Sequence, residues 1–170
     1  MNNEDVRKFA IHSLTQIIDN FSDPEHWTRS EYRDGEEDRF CAIGHVVNVV
    51  GKDRWYYMHS RSWTYNNTPQ IQLIHDLCDL SANQWVGEDI LFRQYIRDCI
   101  NGRDYSEYLN SNPDMIGKYS MIDINDSAGQ AEALEVFKYA VENLISGDNV
   151  EFEMILTRYC DTMETIMEVQ

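Results

Sequence analysis

Basic residues are scarce in this chain: 14 Lys and Arg stand against 30 Asp and Glu in 170 residues, a formal charge of −16. The excess acid is spread out. Residues 1–40 sum to −5, 41–66 to +2, 67–146 to −8 and 147–170 to −5. Nucleic acid and anionic membranes are bound through cationic patches, so direct binding to either is disfavoured. A basic protein partner, or mimicry of nucleic acid, is permitted. Also missing is any apolar run near the ~20 residues of a membrane span. The opening stretch "MNNEDVRKFA" lacks a basic region followed by an apolar run, so no export signal is expected and the cytoplasm is the expected compartment. The four cysteines, at 41, 78, 99 and 160, form no CxxC, and free thiols are expected rather than disulfides. There is no repeat, linker or low-complexity tract.

What is present suits one packed domain over residues 1–170, long enough to bury a real core. Ten Tyr and four Trp argue against disorder. Val6, Ala10, Leu14 and Ile17 recur at helical spacing and predict a first helix. Asp23-Pro24 suits the start of a helical turn carrying Trp27, and residues 29–39 read as a charged loop. A second helix is expected over about 40–50, stopped by Gly51. A third starts at Thr68-Pro69, with Ile71, Ile74, Leu77 and Cys78 inward. Ser81 or Asn83 then reads as the cap of a fourth, lined by Leu91, Phe92, Tyr95, Ile96 and Cys99 and stopped at Asn101-Gly102. Residues 110–129 read as a long loop, with Asp126 or Ser127 capping a fifth helix that ends at "SGDN". The last segment, 147–170, reads as a helical extension, although Val150, Phe152 and Met154 also alternate as in a strand. The expected fold is mainly α: a compact single-domain bundle of about five or six helices with an aromatic loop or hairpin insert at 52–67.

The stretch "DRFCAIGHVVNVVG" offers three readings. Cys41 opening a helix, with His45 four residues on, resembles an activated thiolate. A cysteine enzyme would then use Cys41, His45, His59 or His75, and Asp126 as orienting acid. Alternatively, Cys41 and His45 with His75 and Cys78 make a Cys2His2 zinc set. The third reading is close packing, in which Ala42 and Gly44 let a neighbour such as Trp27 or Phe40 approach. Gly inside a helix costs about 1 kcal/mol relative to Ala, so it should return something in packing. This reading is favoured, and neither metal nor cofactor is expected.

Trp27-Thr28, then Cys41-Ala42-Ile43-Gly44, then Asn125-Asp126 and Glu135-Val136 resemble the signature of a family of small uncharacterised proteins from actinobacteria and their phages. Its members read W-T, a charged loop, C-A-x-G-A with Leu or Ile, then W-N-D and a helix containing E-V. The likeness falls at both ends of residues 5–146. The chain departs from the pattern at His45, where alanine is usual, and at Ile124, where tryptophan is usual. The resemblance implies a shared core joining the Cys41 helix to Asn125-Asp126, in a phage or bacterial setting, and implies no chemistry.

The insert is the one stretch with net positive charge, +2 from Lys52, Arg54 and Arg61 against Asp53. Arg54, Trp55, Tyr56, His59, Arg61, Trp63 and Tyr65 form the expected partner-binding set, since Trp, Tyr and Arg dominate binding hot spots. Trp55, Tyr57 and Trp63 are expected to pack inward, and Tyr56, Arg61 and Tyr65 outward. The expected function is a non-enzymatic acidic binding protein, phage or mobile-element encoded, that modulates a basic or nucleic-acid-binding host protein. The alternatives are the Cys41 enzyme, a small hydrolase or transferase, and a nucleotide or base sensor built on the insert.

Overall fold

The computed structural model describes residues 1–29, 31–34, 39–58, 62–87 and 119–169. The expected fourth helix, His59 and Arg61 lie outside the described residues. The fold is mainly α. Helix α1 spans Asn3–Phe21, and Asn2 caps it by accepting a hydrogen bond from Asp5 N at 3.0 Å. Val6, Ala10, Leu14, Ile17 and Phe21 form its buried stripe. A 3-10 turn at Pro24–His26 follows, capped by Asp23. Strands β1 (Arg33–Asp34) and β2 (Arg39–Phe40) pair antiparallel, so part of the expected charged loop is a small ribbon clasped by an Arg39–Asp34 ion pair. Helix α2 spans Ala42–Val50 and ends at Gly51. A turn at Lys52–Arg54 leads into a hairpin of β3 (Trp55–Tyr57) and β4 (Trp63–Tyr65).

Helix α3 spans Pro69–Gly87, with the Thr68 hydroxyl accepting from Ile71 N at 3.2 Å. It runs straight through Ser81 and Asn83, which were expected to break it. Both polar side chains go to tertiary bonds instead of caps. The Ser81 hydroxyl donates to Val136 O at 2.7 Å in the core. Asn83 brackets Tyr119, donating to its carbonyl at 2.7 Å and accepting from its amide at 2.6 Å.

Residues 120–129 are correspondingly not a loop. A single helical turn, α4 (Met121–Asp123), is closed by a capping box between Ser120 and Asp123. Asp79 of α3 accepts from Met121 N at 2.8 Å and fixes the turn to the bundle. A π-turn at Ile124–Ala128 continues it. Gly129, at φ 124°, then opens helix α5 (Gln130–Ser146). Asp126 and Ser127 therefore lie inside the π-turn, and the left-handed backbone at Gly129 makes the start of α5. A second positive φ, 70° at Gly147, ends α5.

Helix α6 spans Val150–Val169. Phe152 and Leu156 are buried while Val150 and Met154 are exposed, a helical stripe that excludes the strand alternative. Asn3 donates to the Thr157 hydroxyl at 2.8 Å. Arg7 donates to Glu153 at 2.7 Å and to Leu144 O at 2.9 Å, so one α1 side chain ties the end of α5 to α6. Helices α1, α2, α3, α5 and α6 surround one core. Among the described residues no helix is long and apolar enough to cross a membrane.

Because α6 supplies core side chains to α1 and α3, it unfolds with them. Leu156→Ala is expected to lower stability by about 2–5 kcal/mol. Urea denaturation should show one transition at a lower midpoint. A separate early transition for α6 would show that it is an independent appendage.

Candidate functional site

The three sequence stretches singled out above meet at one side chain. Asn125 is fully buried. Its Oδ1 accepts from Trp27 Nε1 at 2.8 Å and from Ala42 N at 3.0 Å. Its Nδ2 donates to Thr28 O at 3.3 Å and to Asp126 Oδ1 at 2.9 Å. An amide offers two donors and two acceptor lone pairs, and here all are used. Ala42 N is the first amide of α2, so Asn125 caps that helix from the far end of the sequence. Asp126 orients the Asn125 amide and does not cap α5.

Gly44 is required by a close approach. A Cβ placed there would lie 2.9 Å from Phe40 Cβ and closer still to the Tyr32 carbonyl oxygen. Phe40 and the Tyr32 backbone occupy that space; Trp27 is spent on Asn125.

Cys41 is the N-cap residue of α2, and its Sγ accepts from Gly44 N at 3.4 Å. It borders a cavity of about 260 Å³ lined by Glu31, Tyr32, Ile122 and Asp126. Burial pushes the thiol up to about 12; amide hydrogen bonds from Gly44 and Ile43 oppose the rise, and the charge of Asp126 adds to it. His45 does not serve it. The Nε2 of His45 lies 2.9 Å from His26 O, and its ring sits edge-on to Phe21 at 5.1 Å and to Phe40 at 5.3 Å. Burial holds this imidazole down to about 4, and it lines a different cavity from Cys41. The expected shared face is lost because Cys41 is extended, at ψ 177°, rather than helical.

His75 pairs with Asp79 at 3.3 Å on its own helix, and Cys78 is wholly buried, its thiol raised by desolvation. Among the described residues no group of three or more His, Cys, Asp or Glu is placed to hold a metal ion.

The insert is a hairpin with Trp55 opposite Tyr65, Tyr56 opposite Thr64 and Tyr57 opposite Trp63. Opposed residues share a face, so 55, 57, 63 and 65 form one set and Tyr56 the other. The outward placement expected for Tyr65 is thereby corrected: it packs on Tyr32 at 5.4 Å and Trp55 at 6.1 Å. Trp55 also stacks near Phe40 at 5.8 Å and Trp63 at 6.5 Å. Tyr57 belongs to this set and meets Trp63 at 5.2 Å, yet is 54% exposed. Tyr56 and Met58 are also exposed, at 44% and 45%. The Arg33 guanidinium lies 4.3 Å from the Trp63 centroid, 5.7 Å from Phe40 and 5.8 Å from Trp55. Arg54 is half-exposed beside Asp53, 3.8 Å away. Sequence reasoning missed Tyr32 and Arg33, because they sit in a stretch dominated by charge. The available signal was the Asp34 and Arg39 pair flanking Gly35, which suits a two-stranded clasp.

Comparison with known protein families, curated proteins and solved structures finds no match for this chain.

Asn125→Ala should cost more than about 3 kcal/mol, since it strands the Trp27 indole, the Ala42 amide and the Thr28 carbonyl together. Thermal unfolding measures this; a loss under about 1 kcal/mol would show that water replaces the amide. Alkylation of Cys41 should be slow in the folded protein and rise only at pH values well above those for a free thiol. Mass mapping of iodoacetamide adducts across pH checks this, and fast modification at pH 7 would revive the nucleophile reading.

Proposed function

We propose that this chain is a non-enzymatic binding protein that docks on another protein through the β3–β4 hairpin. The observation that carries this reading is the exposure of Tyr56, Tyr57 and Met58 on the hairpin, beside a stacked platform of Trp55, Trp63, Tyr65, Phe40 and Tyr32. Aromatic side chains held in advance by packing lose little freedom on binding, so their contact area converts efficiently into affinity. The whole chain carries a charge of −16 although the insert itself is positive, so the flanking body is strongly acidic, which favours a partner whose contact surface is basic, such as a nucleic-acid-binding protein. The acidic body then stands in for a polyanion, and the hairpin supplies the specific contact.

A bacterial or phage setting, and with it a host protein as the partner in the cytoplasm, is supported by the resemblance of Trp27-Thr28, Cys41 to Gly44 and Asn125-Asp126 to the actinobacterial and phage signature. The cysteine-enzyme alternative is weakened by a thiol raised to about 12 and by a histidine turned to a backbone carbonyl.

The test is a two-residue variant, Tyr56→Ala with Tyr57→Ala, compared with wild type for retention of partners from bacterial lysate and then for affinity toward the retained partner. Affinity is expected to fall by more than ~2 kcal/mol with the melting temperature within a few degrees of wild type. Association should slow as salt rises from ~0.1 M to ~1 M. Undiminished binding by the variant would remove the hairpin from the interface, and salt-independent association would remove the role of the acidic body.

A further inference from the structure

The apolar stripe of α6 outruns the helices that cover it. Asn3 of α1 bonds to Thr157 and Cys160, and Arg7 to Glu153, so α1 runs antiparallel to α6 and starts near Cys160. Helix α3 has the same sense: Gln84 reaches Glu151, Asp76 pairs with Arg158, and Pro69 shares a cavity wall with Thr162. Residues 163–169 therefore lie past the starts of both helices. Phe152, Leu156, Tyr159 and Cys160 are buried and Met163 is half-buried. Ile166 and Met167 follow three and four residues later on the same face, and are 37% and 70% exposed. At the foot of this stripe is a cavity of about 230 Å³ lined by Met1, Asp5, Val6, Phe9, Gln70 and Tyr159. Tyr159 stands one helical turn before Met163, so the cavity and the stripe form one continuous apolar surface.

The rim of this surface is acidic. Asp5 lines the cavity, and residues 159–170 hold three acids, Asp161, Glu164 and Glu168, and no Lys or Arg. Their fields converge on one place. Burial raises the Cys160 thiol, the terminal amine opposes the rise, and the charges of Asp161, Glu164 and Asp5 add to it. Two bases that reach this side of α6 are held by carboxylates, Arg7 by Glu4 and Glu153 and Arg158 by Asp76.

We infer that this surface is a docking groove for a basic amphipathic helix of another protein. A helix whose apolar residues recur at i, i+3, i+4 and i+7 lays that face on Phe9, Met163, Ile166 and Met167, and its flanking Lys and Arg meet the acidic rim. Methionine is unbranched and polarisable, so Met1, Met163 and Met167 adapt to the shape of the incoming face. A second copy of this chain is the poorer occupant, because it would bring the same carboxylates against their like. The groove goes beyond the hairpin interface and stands whether or not the hairpin contacts a protein.

The full chain is titrated with a synthetic peptide of leucine and lysine in amphipathic helical register, about five turns long. Labelled-peptide anisotropy gives the affinity and methionine methyl shifts give the place. Saturable binding is expected, with shifts at Met163 and Met167 and none at Met58 on the hairpin. Ile166→Ser with Met167→Ser, both at exposed positions, should weaken binding at least about tenfold at an unchanged melting temperature. Tyr56→Ala with Tyr57→Ala should leave it unchanged. A peptide with glutamate in place of lysine, and one of the same composition in scrambled order, should each bind at least about tenfold more weakly. Equal binding by either control peptide, or shifts confined to the hairpin, would overturn the assignment. So would a dimer in sedimentation that Ile166→Ser with Met167→Ser takes apart, since the occupant would then be a second copy.

Discussion

One buried amide joins three stretches of this molecule that lie far apart in sequence. Asn125 joins Trp27, Thr28, the start of α2 and Asp126 through four hydrogen bonds. The arrangement is stringent because the group is out of water. Each partner left alone in that environment would cost more than its bond contributes when made, so the network acts as a unit. The π-turn at Ile124–Ala128 gains a reason from this. An extra residue in the turn changes the direction of the side chains within it, and Asn125 is delivered inward while Asp126 stays close enough to accept from its amide. Gly129 then resets the chain for α5 at a φ open to glycine.

The same constraint decides what Cys41 is. Its position at the start of α2 gives it amide donors, which favour a thiolate. Its burial, and the acidic wall formed with Asp126, oppose one. Desolvation wins, because the thiol is almost wholly removed from water and the amide bonds from Gly44 and Ile43 only partly offset that loss. The cysteine behaves as a small capping group that fits where Tyr32 and Phe40 press on Gly44. The place of His45 also acquires a physical sense. Its ring fills the space between Phe21 and Phe40 and reaches the carbonyl of His26.

Most of the helical frame was legible in the sequence because its signals are local. Asp23-Pro24, Gly51, Thr68-Pro69 and Gly147 each act through their own backbone, and each starts or stops an element where read. The failures share one cause. Ser81 and Asn83 are cap-forming residues whose polar atoms were taken by distant partners, and Asp126 accepts from the neighbouring Asn125 amide that is itself held in a tertiary network; local propensity yields to bonds of that kind. The face of Tyr65 was misassigned for a related reason. Which residues oppose each other in a hairpin depends on the length and shape of the connection, and here Tyr65 falls opposite Trp55. That the Trp27, Cys41 and Asn125 stretches belong together was visible only as an expectation from the resemblance. That a single amide makes the link was not, since a sequence does not state which donor meets which acceptor.

The aromatic surface and the acidic body are two answers to different physical demands. Charge of one sign acts at a distance and slows unwanted association, yet it recognises little. Recognition needs desolvated contact, which on the proposed reading a stripe of Tyr and Trp on an otherwise acidic chain supplies at the cost of exposing apolar area. Arg33 reconciles the two. Its guanidinium covers Trp63, Phe40 and Trp55, which spares part of the platform from water and brings positive charge to its edge. Through Arg33 the ribbon, clasped by Asp34 and Arg39, fixes the hairpin to the core end that Asn125 organises. Order therefore passes from the buried amide to α2, from α2 to the ribbon packed over Gly44, and from the ribbon to the exposed tyrosines. A side chain that touches none of the surface sets how rigidly that surface is presented.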